Sequence, residues 1–244
     1  MSESRVTAAM LAIGDELLSG RTKDKNISHL ATILTAAGIE LLEVRIVPDV
    51  EDEIVAALNA LRVRYTYVFT SGGIGPTHDD ITADAIAKAF GLPCEHDAKA
   101  MKLLGDSYAA RGVEFNEARQ RMARMPRGAA HIENRVSTAP GFVVENVHVM
   151  AGVPSVFEAM VDAVLPSLRT GAILLSAAIH CPYGEGKIGT PLADIQKAHP
   201  DTIIGSYPRM SDGAFSVEII VRSKDQTALN AAKAAVEAML TGFA

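Results

Sequence analysis

The stretch VFTSGGIGPTHDDIT, residues 68–82, decides the fold. The residues just before its glycines, 65–70, are Tyr, Thr, Val and Phe, which favour a short buried β-strand. After the glycines, apolar residues recur at helical spacing from Thr82 to Phe90. The glycines and aspartates therefore lie in a connection between a strand and a helix, which is a common position for a ligand in α/β proteins.

The same order of strand and helix occurs twice before this stretch. Apolar β-formers predict strands at 6–13 and 39–47, and apolar faces at helical spacing predict helices at 27–37 and 51–64. Three strand-helix steps in succession predict a parallel sheet with helices on both faces and right-handed crossovers. The fold class is therefore predicted to be α/β, with a doubly wound core.

The middle of the chain is less regular. Residues 97–125 are charged and helical in pattern until a Pro-Arg-Gly break, which indicates an insertion or a lid. Further elements are then predicted: strands at 129–133, 142–145 and 147–150, and a helix at 151–168. This last helix closes the main domain, which is predicted to span residues 1–169.

Residues 170–244 are predicted to form a small second α/β subdomain. Its predicted elements are a strand at 172–181, a helix at 188–198, strands at 202–207 and 215–222, and a helix at 226–240. The order βαββα is long enough for a separate small core.

Composition excludes several classes of protein. The 244 residues carry a net charge of −6, with acids and bases interspersed, so no nucleic-acid partner is expected. The apolar N-terminal run is too short for a membrane span and is interrupted by Asp15 and Glu16, so we expect no membrane partner and a cytoplasmic location. Cys94 and Cys181 are far apart and form no metal-ligand motif, which argues against a disulfide framework or a zinc site.

The glycines Gly72, Gly73 and Gly75 suggest phosphate binding. Glycine lets the main chain approach a ligand closely, and the amides at the start of the next helix favour an anion. The pattern is neither GxGxxG nor GxxxxGK[ST], so a plain tight turn remains the alternative. Asp79 and Asp80 would repel a bare phosphate, unless a divalent cation lies between carboxylate and phosphate oxygens. The alternative is helix capping by Thr77 or Asp79, which accounts more readily for one aspartate than for two.

Other acids follow the first two strands. Asp15 and Glu16 come directly after the first strand, and Asp49 comes after the second. Because the carboxyl ends of parallel strands share one edge of the sheet, these acids and Asp80 are expected to converge. Converging carboxylates beside glycine amides fit metal-assisted phosphoryl or pyrophosphate chemistry. For Asp49, helix capping is an equal alternative.

Isolated polar residues offer weaker signals. His78 could ligate a metal or contact a substrate, although an exposed loop histidine is more often a bystander. The hydroxyls of Ser137 and Thr138 could reach a phosphate, or they could simply form a turn. Asn116 could belong to a polar wall over a ligand, or to a solvated helix face.

Several longer motifs resemble the competence/damage-inducible CinA family. The resemblance is to its N-terminal part, a MoaB/Mog molybdopterin-binding domain of molybdenum-cofactor biosynthesis, and it covers nearly the whole chain. The motifs are TSGGIGPTHDDIT, AIGDELLSG, KNISHLATILTAAG, NEARQRMARMPRGA, STAPGF, AGVPSVFEAM and YGEGKIGTPLADIQKAHPDTIIGSYP. Many members also carry a C-terminal nicotinamide-nucleotide amidase domain, for which this sequence has no room, so deamidase activity is not expected.

The resemblance implies a three-layer α/β/α fold of the MoaB/Mog type and a class of ligand. In relatives, this domain either binds and adenylylates molybdopterin or hydrolyses the pyrophosphate of ADP-ribose or FAD-like dinucleotides, with a divalent metal and potassium. A non-catalytic module that binds a pterin or nucleotide is the rival from another class. The resemblance also implies a homo-oligomer, dimeric or trimeric.

The expected roles combine the resemblance with the residue patterns. Asp80 and Asp49 are expected to be catalytic, and Asp80, Asp15 and Glu16 to bind a divalent ion such as cobalt, manganese or magnesium. The residues expected to bind phosphate or cofactor are Ser71, Gly72, Gly73, Gly75, Thr77, Thr138 and Asn116.

Overall fold

The computed structural model describes residues 5–211 and 214–243. The chain forms two compact units, Met1–Gly171 and Ala172–Ala244, which are described separately. In the described residues, no helix is long and apolar enough to cross a membrane.

In the first unit, residues 5–171 form eight strands. They are β1 (Thr7–Ile13), β2 (Glu40–Val47), β3 (Tyr67–Ser71), β4 (Cys94–His96), β5 (Arg124–Pro126), β6 (Ala130–Ile132), β7 (Gly141–Val144) and β8 (Val147–Met150). Six of them form one sheet in the order β2-β1-β3-β8-β7-β6. The first four strands in that order run parallel, while β7 is antiparallel to β8 and β6 is antiparallel to β7. The prediction of a mostly parallel sheet is confirmed.

Helices cover both faces of this sheet. They are α1 (Asp15–Leu18), α2 (Asn26–Ala36), α3 (Glu51–Arg62), α4 (Thr82–Phe90), α5 (Ala98–Ala110), α6 (Glu117–Gln120) and α7 (Pro154–Val164). Alternate side chains of β1 point to opposite faces. Leu11 packs in a fully buried core with Leu58 of α3, whereas Met10 packs in a second core with Leu30 of α2 and Phe157 of α7. The three-layer α/β/α arrangement is therefore confirmed.

The segment 97–125, predicted to be helical throughout, contains two helices, a 3₁₀ turn and the start of a strand. Helix α5 ends at Ala110 with Arg111 as its C-cap, and Gly112 follows with a φ of 65°, which favours glycine. After α6, a 3₁₀ turn at Arg121–Ala123 leads into β5, which pairs antiparallel with β4. The prediction of helix to Met125 was wrong at its end, because β5 is stabilised by a strand about thirty residues earlier and not by its local pattern.

The second unit has the predicted βαββα order. Its elements are β9 (Leu175–Cys181), α8 (Glu185–Ala198), β10 (Ile203–Ser211), β11 (Ala214–Ser223) and α9 (Gln226–Thr241). The strands form an antiparallel sheet in the order β10-β11-β9. One sheet face packs under the helices, with Ile179 and Ile219 buried against Ile188 of α8 and Leu229 of α9. Helix α8 begins three residues before its predicted start.

Candidate functional site

The four parallel strands end at one edge of the first unit, where a cavity of about 700 Å³ opens. This volume lies in the range of small-molecule sites, and the carboxyl edge of a parallel sheet is where such sites form. The cavity is lined by Ile13, Gly14, Glu16, Thr22, Asp49, Gly72, Gly73, Ile74, Gly75, Pro76, Asp79, Asp80, Met122, Asn134, Ser137, Ala139, Ala151, Gly152, Val153, Pro154, Val156 and Met160.

The glycines after β3 line one wall of this cavity with main-chain atoms, because there is no space for a side chain at these positions. Gly72 has a φ of 110°, and a Cβ atom at this position would collide with the carbonyl oxygen of Ile13 at the end of β1. Gly73 has a φ of 69°, and a Cβ there would collide with the hydroxyl of Thr82. Both positions require glycine for conformation and for space, so the main chain itself lines the cavity.

Thr82, the first residue of α4, fixes this glycine turn from behind. Its side chain is buried, and its hydroxyl donates a hydrogen bond to the carbonyl oxygen of Gly72 at 3.0 Å. Its main-chain amide donates to the carbonyl oxygen of Gly73, also at 3.0 Å. The turn and the start of α4 are therefore joined through two adjacent carbonyl groups.

Asp80 closes the loop that connects the glycines to α4. One of its carboxylate oxygens accepts hydrogen bonds from the amide of Thr77 at 2.8 Å and from the Thr77 hydroxyl at 2.6 Å. A Cβ atom at Gly75 would lie 2.6 Å from the same oxygen. The helix-capping interpretation of Thr77 or Asp79 was wrong, because Ile81 occupies the N-cap of α4 and no side chain caps that end.

Asp49 lines the cavity and is held there by a main-chain amide. Its Oδ2 accepts a hydrogen bond from the main-chain amide of Asp15 at 2.9 Å. Partial burial raises the pKa of Asp49 above its usual value, and repulsion from Asp15, Glu16 and Asp79 raises it further, against the effect of that hydrogen bond. The capping alternative for Asp49 was wrong, since Val50 is the N-cap of α3 and no side chain caps it.

The acids of the cavity lining are candidate ligands for a divalent ion. Within the part of the chain that the structure describes, no three His, Cys, Asp or Glu side chains are grouped closely enough to enclose a metal. Mg²⁺, however, is usually bound by one or two carboxylates together with substrate phosphates, not by a full protein cage. Glu16 and Asp80, two of the acids expected to bind a metal, both line the cavity. Their chemistry suits an ion shared with a phosphate ligand.

The remaining predicted site residues lie outside the cavity lining. The hydroxyl of Thr138 accepts a hydrogen bond from Ser107 of α5 at 3.2 Å, and Thr138 has a φ of 71°. Asn116 is exposed and caps α6 by accepting a hydrogen bond from the amide of Arg119. Ser71 is buried under the glycine turn. Asp15 and Thr77 lie outside the lining as well, and their main-chain amides donate to Asp49 and Asp80. The ligand-binding roles of Ser71, Thr77, Thr138 and Asn116 and the metal-binding role of Asp15 stay predictions.

Sequence analysis missed a buried asparagine that joins two loops of the site. The side-chain amide of Asn26 donates to the Ser71 hydroxyl and to the carbonyl oxygen of Gly152, each at 2.8 Å. Gly152 lies so near the glycine turn that a Cβ there would be 3.3 Å from the Cα of Gly72. The available signal was an asparagine at the start of a helix, which is too common to single out.

Arg121 was also missed. Its guanidinium donates to the main-chain carbonyl of Asp80 at 3.2 Å, from the 3₁₀ turn after α6. Its Nε is buried without a hydrogen-bond partner among the described residues. Arg121 therefore holds the main chain of the Asp80 loop, while Thr77 holds the Asp80 side chain. Its local sequence, in which arginines recur at 119, 121, 124 and 127, favours a solvated helix face and gave no sign of this contact.

Comparison with known families gives two matches. Residues 9–170 match the family described as "Probable molybdopterin binding domain", and residues 173–243 match "FAD synthase, middle domain". The first match contains every residue that lines the cavity.

Comparison with individual proteins extends the similarity. A protein of Caldivirga maquilingensis is 40% identical over 166 residues, which cover 66% of this chain and 65% of that protein. A CinA-like protein of Myxococcus xanthus is 31% identical, with 93% of this chain and 57% of that protein covered. The chain thus spans less than two thirds of either relative's length.

Among solved structures, the crystal structure of the protein CinA from Thermoplasma acidophilum is 32% identical in sequence and superposes with a TM-score of 0.62. The match covers 67% of this chain and 98% of that chain.

Proposed function

The chain belongs to the CinA-like proteins with a probable molybdopterin-binding domain, and from this premise we propose that it is a divalent-metal-dependent pyrophosphatase of ADP-ribose or a related dinucleotide such as FAD. Water would attack one phosphorus of the pyrophosphate, the bridging P–O bond would break, and two phosphomonoesters would leave. With ADP-ribose, one of these products is AMP.

The observation that carries this proposal is that one cavity combines a main-chain surface suited to phosphate with a carboxylate suited to activating water. One wall is main chain at Gly72 and Gly73, where the backbone can come close to phosphate oxygens. The other is a carboxylate, Asp49, whose pKa is raised by partial burial and by neighbouring acids. A carboxylate with a raised pKa is a better proton acceptor than an ordinary one, which suits activation of water.

A divalent ion would be held by Glu16 and Asp80 together with substrate phosphate, and it would neutralise charge on the pyrophosphate as the bond breaks. The chain's own residues do the rest. The glycine turn would orient the phosphate, the Asp15 amide would fix the rotamer of Asp49, and the Asp80 loop would hold the turn in place. Potassium, which the family resemblance suggests, would add positive charge near the phosphates.

Two specific observations bear on the choice of ligand. The family description names molybdopterin, which favours adenylyl transfer to molybdopterin as a second candidate; that reaction would use the same cavity with water excluded. The second unit matches a domain named after FAD synthase, which favours a flavin dinucleotide among the possible substrates.

The test is a product assay on the full chain. ADP-ribose, FAD and NAD are offered separately with Co²⁺, Mn²⁺ or Mg²⁺ and K⁺, with a chelator control, and AMP release is followed. Metal-dependent AMP release is the expected result. Folded protein that binds a nucleotide or molybdopterin and releases no AMP from any of the three would overturn the hydrolase proposal. AMP transfer to molybdopterin from ATP would then support the second candidate.

A further inference from the structure

The strand β2 forms one edge of the six-stranded sheet and carries an unusual row of side chains. Its inner edge pairs with β1, and no strand in residues 5–211 or 214–243 pairs with its outer edge. Leu42, Val44 and Ile46 are 47%, 37% and 41% exposed. Val44 and Ile46 alternate on one face of the regular part of the strand, and Leu42 is the extra residue of a bulge, because Ala8 pairs with Leu41 and Ala9 with Glu43. A long edge strand with exposed apolar side chains is a template for pairing with another chain.

The sequence around Val44 is complementary to itself. Reading LEVRI, residues 42–46, against a second copy in the antiparallel direction with Val44 at the centre places Leu42 opposite Ile46. Val44 then lies opposite its own copy, and Glu43 lies opposite Arg45. Apolar side chains meet on one face and opposite charges meet on the other, so both faces are matched in the same register.

The main-chain direction agrees with this register. The carbonyl oxygen of Val47 accepts a hydrogen bond from the amide of Gly14, so the main-chain groups of Val47 face β1. Because successive residues of a strand face opposite sides, the N–H and C=O groups of Val44 and Ile46 face outward. A two-fold axis at Val44 would let the two valines exchange both main-chain hydrogen bonds, which is the closely bonded pair of an antiparallel ladder.

We propose that the outer edge of β2 is a homodimer interface, in which two copies of this chain pair their β2 strands antiparallel about a two-fold axis at Val44. The partner is a second copy of this chain because the contact is isologous: Leu42 and Glu43 of one strand lie opposite Ile46 and Arg45 of the other, and the reverse also holds. The two sheets become one continuous sheet of twelve strands, which removes both exposed edges. This inference does not depend on the proposed reaction.

On the charged face of β2, hydrogen bonds already fix the position of the Glu43 side chain. Arg45 already donates to Glu43 at 2.7 Å within the strand, and the hydroxyl of Tyr65 donates to Glu43 at 2.6 Å. These hydrogen bonds hold the Glu43 carboxylate in place and lower its pKa, the bond from Tyr65 contributing most. A carboxylate held in one position loses less side-chain entropy when it meets the partner's arginine.

The first test compares Val44→Lys with a matched control in sedimentation experiments on the full chain at micromolar concentrations. Val63→Lys is the control, because Val63 is also an exposed valine of the first unit, 76% exposed just after α3. Wild type and Val63→Lys are expected to be dimeric. Val44→Lys places two ammonium groups opposite each other and is expected to weaken dimerisation at least about 100-fold. Circular dichroism checks that each variant is folded.

The second test uses the proposed register, in which residue 44 of one chain lies opposite residue 44 of the other. Val44→Lys and Val44→Glu are each expected to be monomeric alone, and a 1:1 mixture is expected to restore a dimer through opposite charges. In a bonded antiparallel pair the Cα atoms are about 5.5 Å apart, within disulfide range, so Val44→Cys is expected to crosslink two chains under oxidation. Leu42→Cys, which faces Ile46, is the control and should crosslink far less, as should wild type with its own Cys94 and Cys181.

A monomeric wild type, or a Val44→Lys variant that dimerises as tightly as Val63→Lys, overturns the proposal. So does a Val44→Cys dimer that does not crosslink more than Leu42→Cys, because that outcome would place the interface on another surface or in another register.

Discussion

The carboxylate of Asp49 accepts a hydrogen bond from the main-chain amide of Asp15, at 2.9 Å. This bond joins the ends of β1 and β2, and it holds an acid against the cavity although the neighbouring acids repel it. Asn can accept the same hydrogen bond, so Asp49→Asn separates the charge of this residue from its position.

We expect Asp49→Asn to lower pyrophosphatase kcat by about 10²- to 10⁴-fold, the usual contribution of a general base, with little change in stability. Asp162→Asn, on the exposed face of α7, is the matched control and should retain activity. The wild-type kcat should also fall on the acid side at a pH above the ordinary aspartate range, because the pKa of Asp49 is raised. Full activity in a folded Asp49→Asn would remove this residue from the site.

Gly72→Ala should destabilise the protein. The new Cβ would collide with the carbonyl oxygen of Ile13, and a φ of 110° is unfavourable for alanine, so we expect a loss of about 1–3 kcal/mol or more. The control is Gly105→Ala, within α5, where a Cβ would meet only ring carbons of Phe115 at 3.7 Å. There alanine should stabilise the helix by about 0.5–1 kcal/mol. Urea denaturation measures both changes, and equal effects would contradict the described turn.

Thr82→Val tests the bond behind the glycine turn. Valine has nearly the same shape but cannot donate to the carbonyl oxygen of Gly72, which would lose its side-chain partner. We expect the free energy of unfolding to fall by about 1–3 kcal/mol. Thr32→Val is the comparison, because the hydroxyl of Thr32 donates to Ser28 on the exposed side of α2, where water can replace it. A loss no larger than that of Thr32→Val would show that the Thr82 hydroxyl is dispensable.

His148 should make the stability of the protein depend on pH. It is buried beside Phe69, with ring centroids 5.1 Å apart, and burial lowers its pKa to about 4. Below the unfolded-state pKa of about 6.5, the unfolded chain takes up a proton that the folded chain refuses. This group alone should therefore cost about 2 kcal/mol of stability when the pH falls from 7 to 5.

The measurement is urea denaturation at pH 7 and pH 5 for wild type, His148→Gln and His78→Gln. His148→Gln should lose less stability on acidification than wild type, even if it is less stable at pH 7. His78 is exposed, so His78→Gln should follow the wild type. The same pH dependence in all three proteins would mean that other groups, and not His148, control the acid response.

The site could be located from the sequence, but its hydrogen bonds could not. Glycines and acids at the ends of strands predicted one edge of a parallel sheet, and Glu16, Asp49, Gly72 and Asp80 do line one cavity there. The bond from Asp15 to Asp49 joins two loops about thirty residues apart, and Asn26 joins two loops that follow different strands. Such contacts depend on which strands are neighbours, which local patterns do not encode.

By itself, the sequence determined the order of strands and helices, the parallel sheet with helices on both faces, and the glycine-rich connection between the third strand and its helix. It could do so because periodicity and turn chemistry act between residues close in the chain. Only the tertiary structure decided that Arg124–Pro126 pairs with Cys94–His96, that Thr138 contacts Ser107 outside the cavity, and that the outer edge of β2 is left free by the described strands. These features arise from packing between distant segments, where a weak local preference is overridden by the contacts that the whole fold makes available.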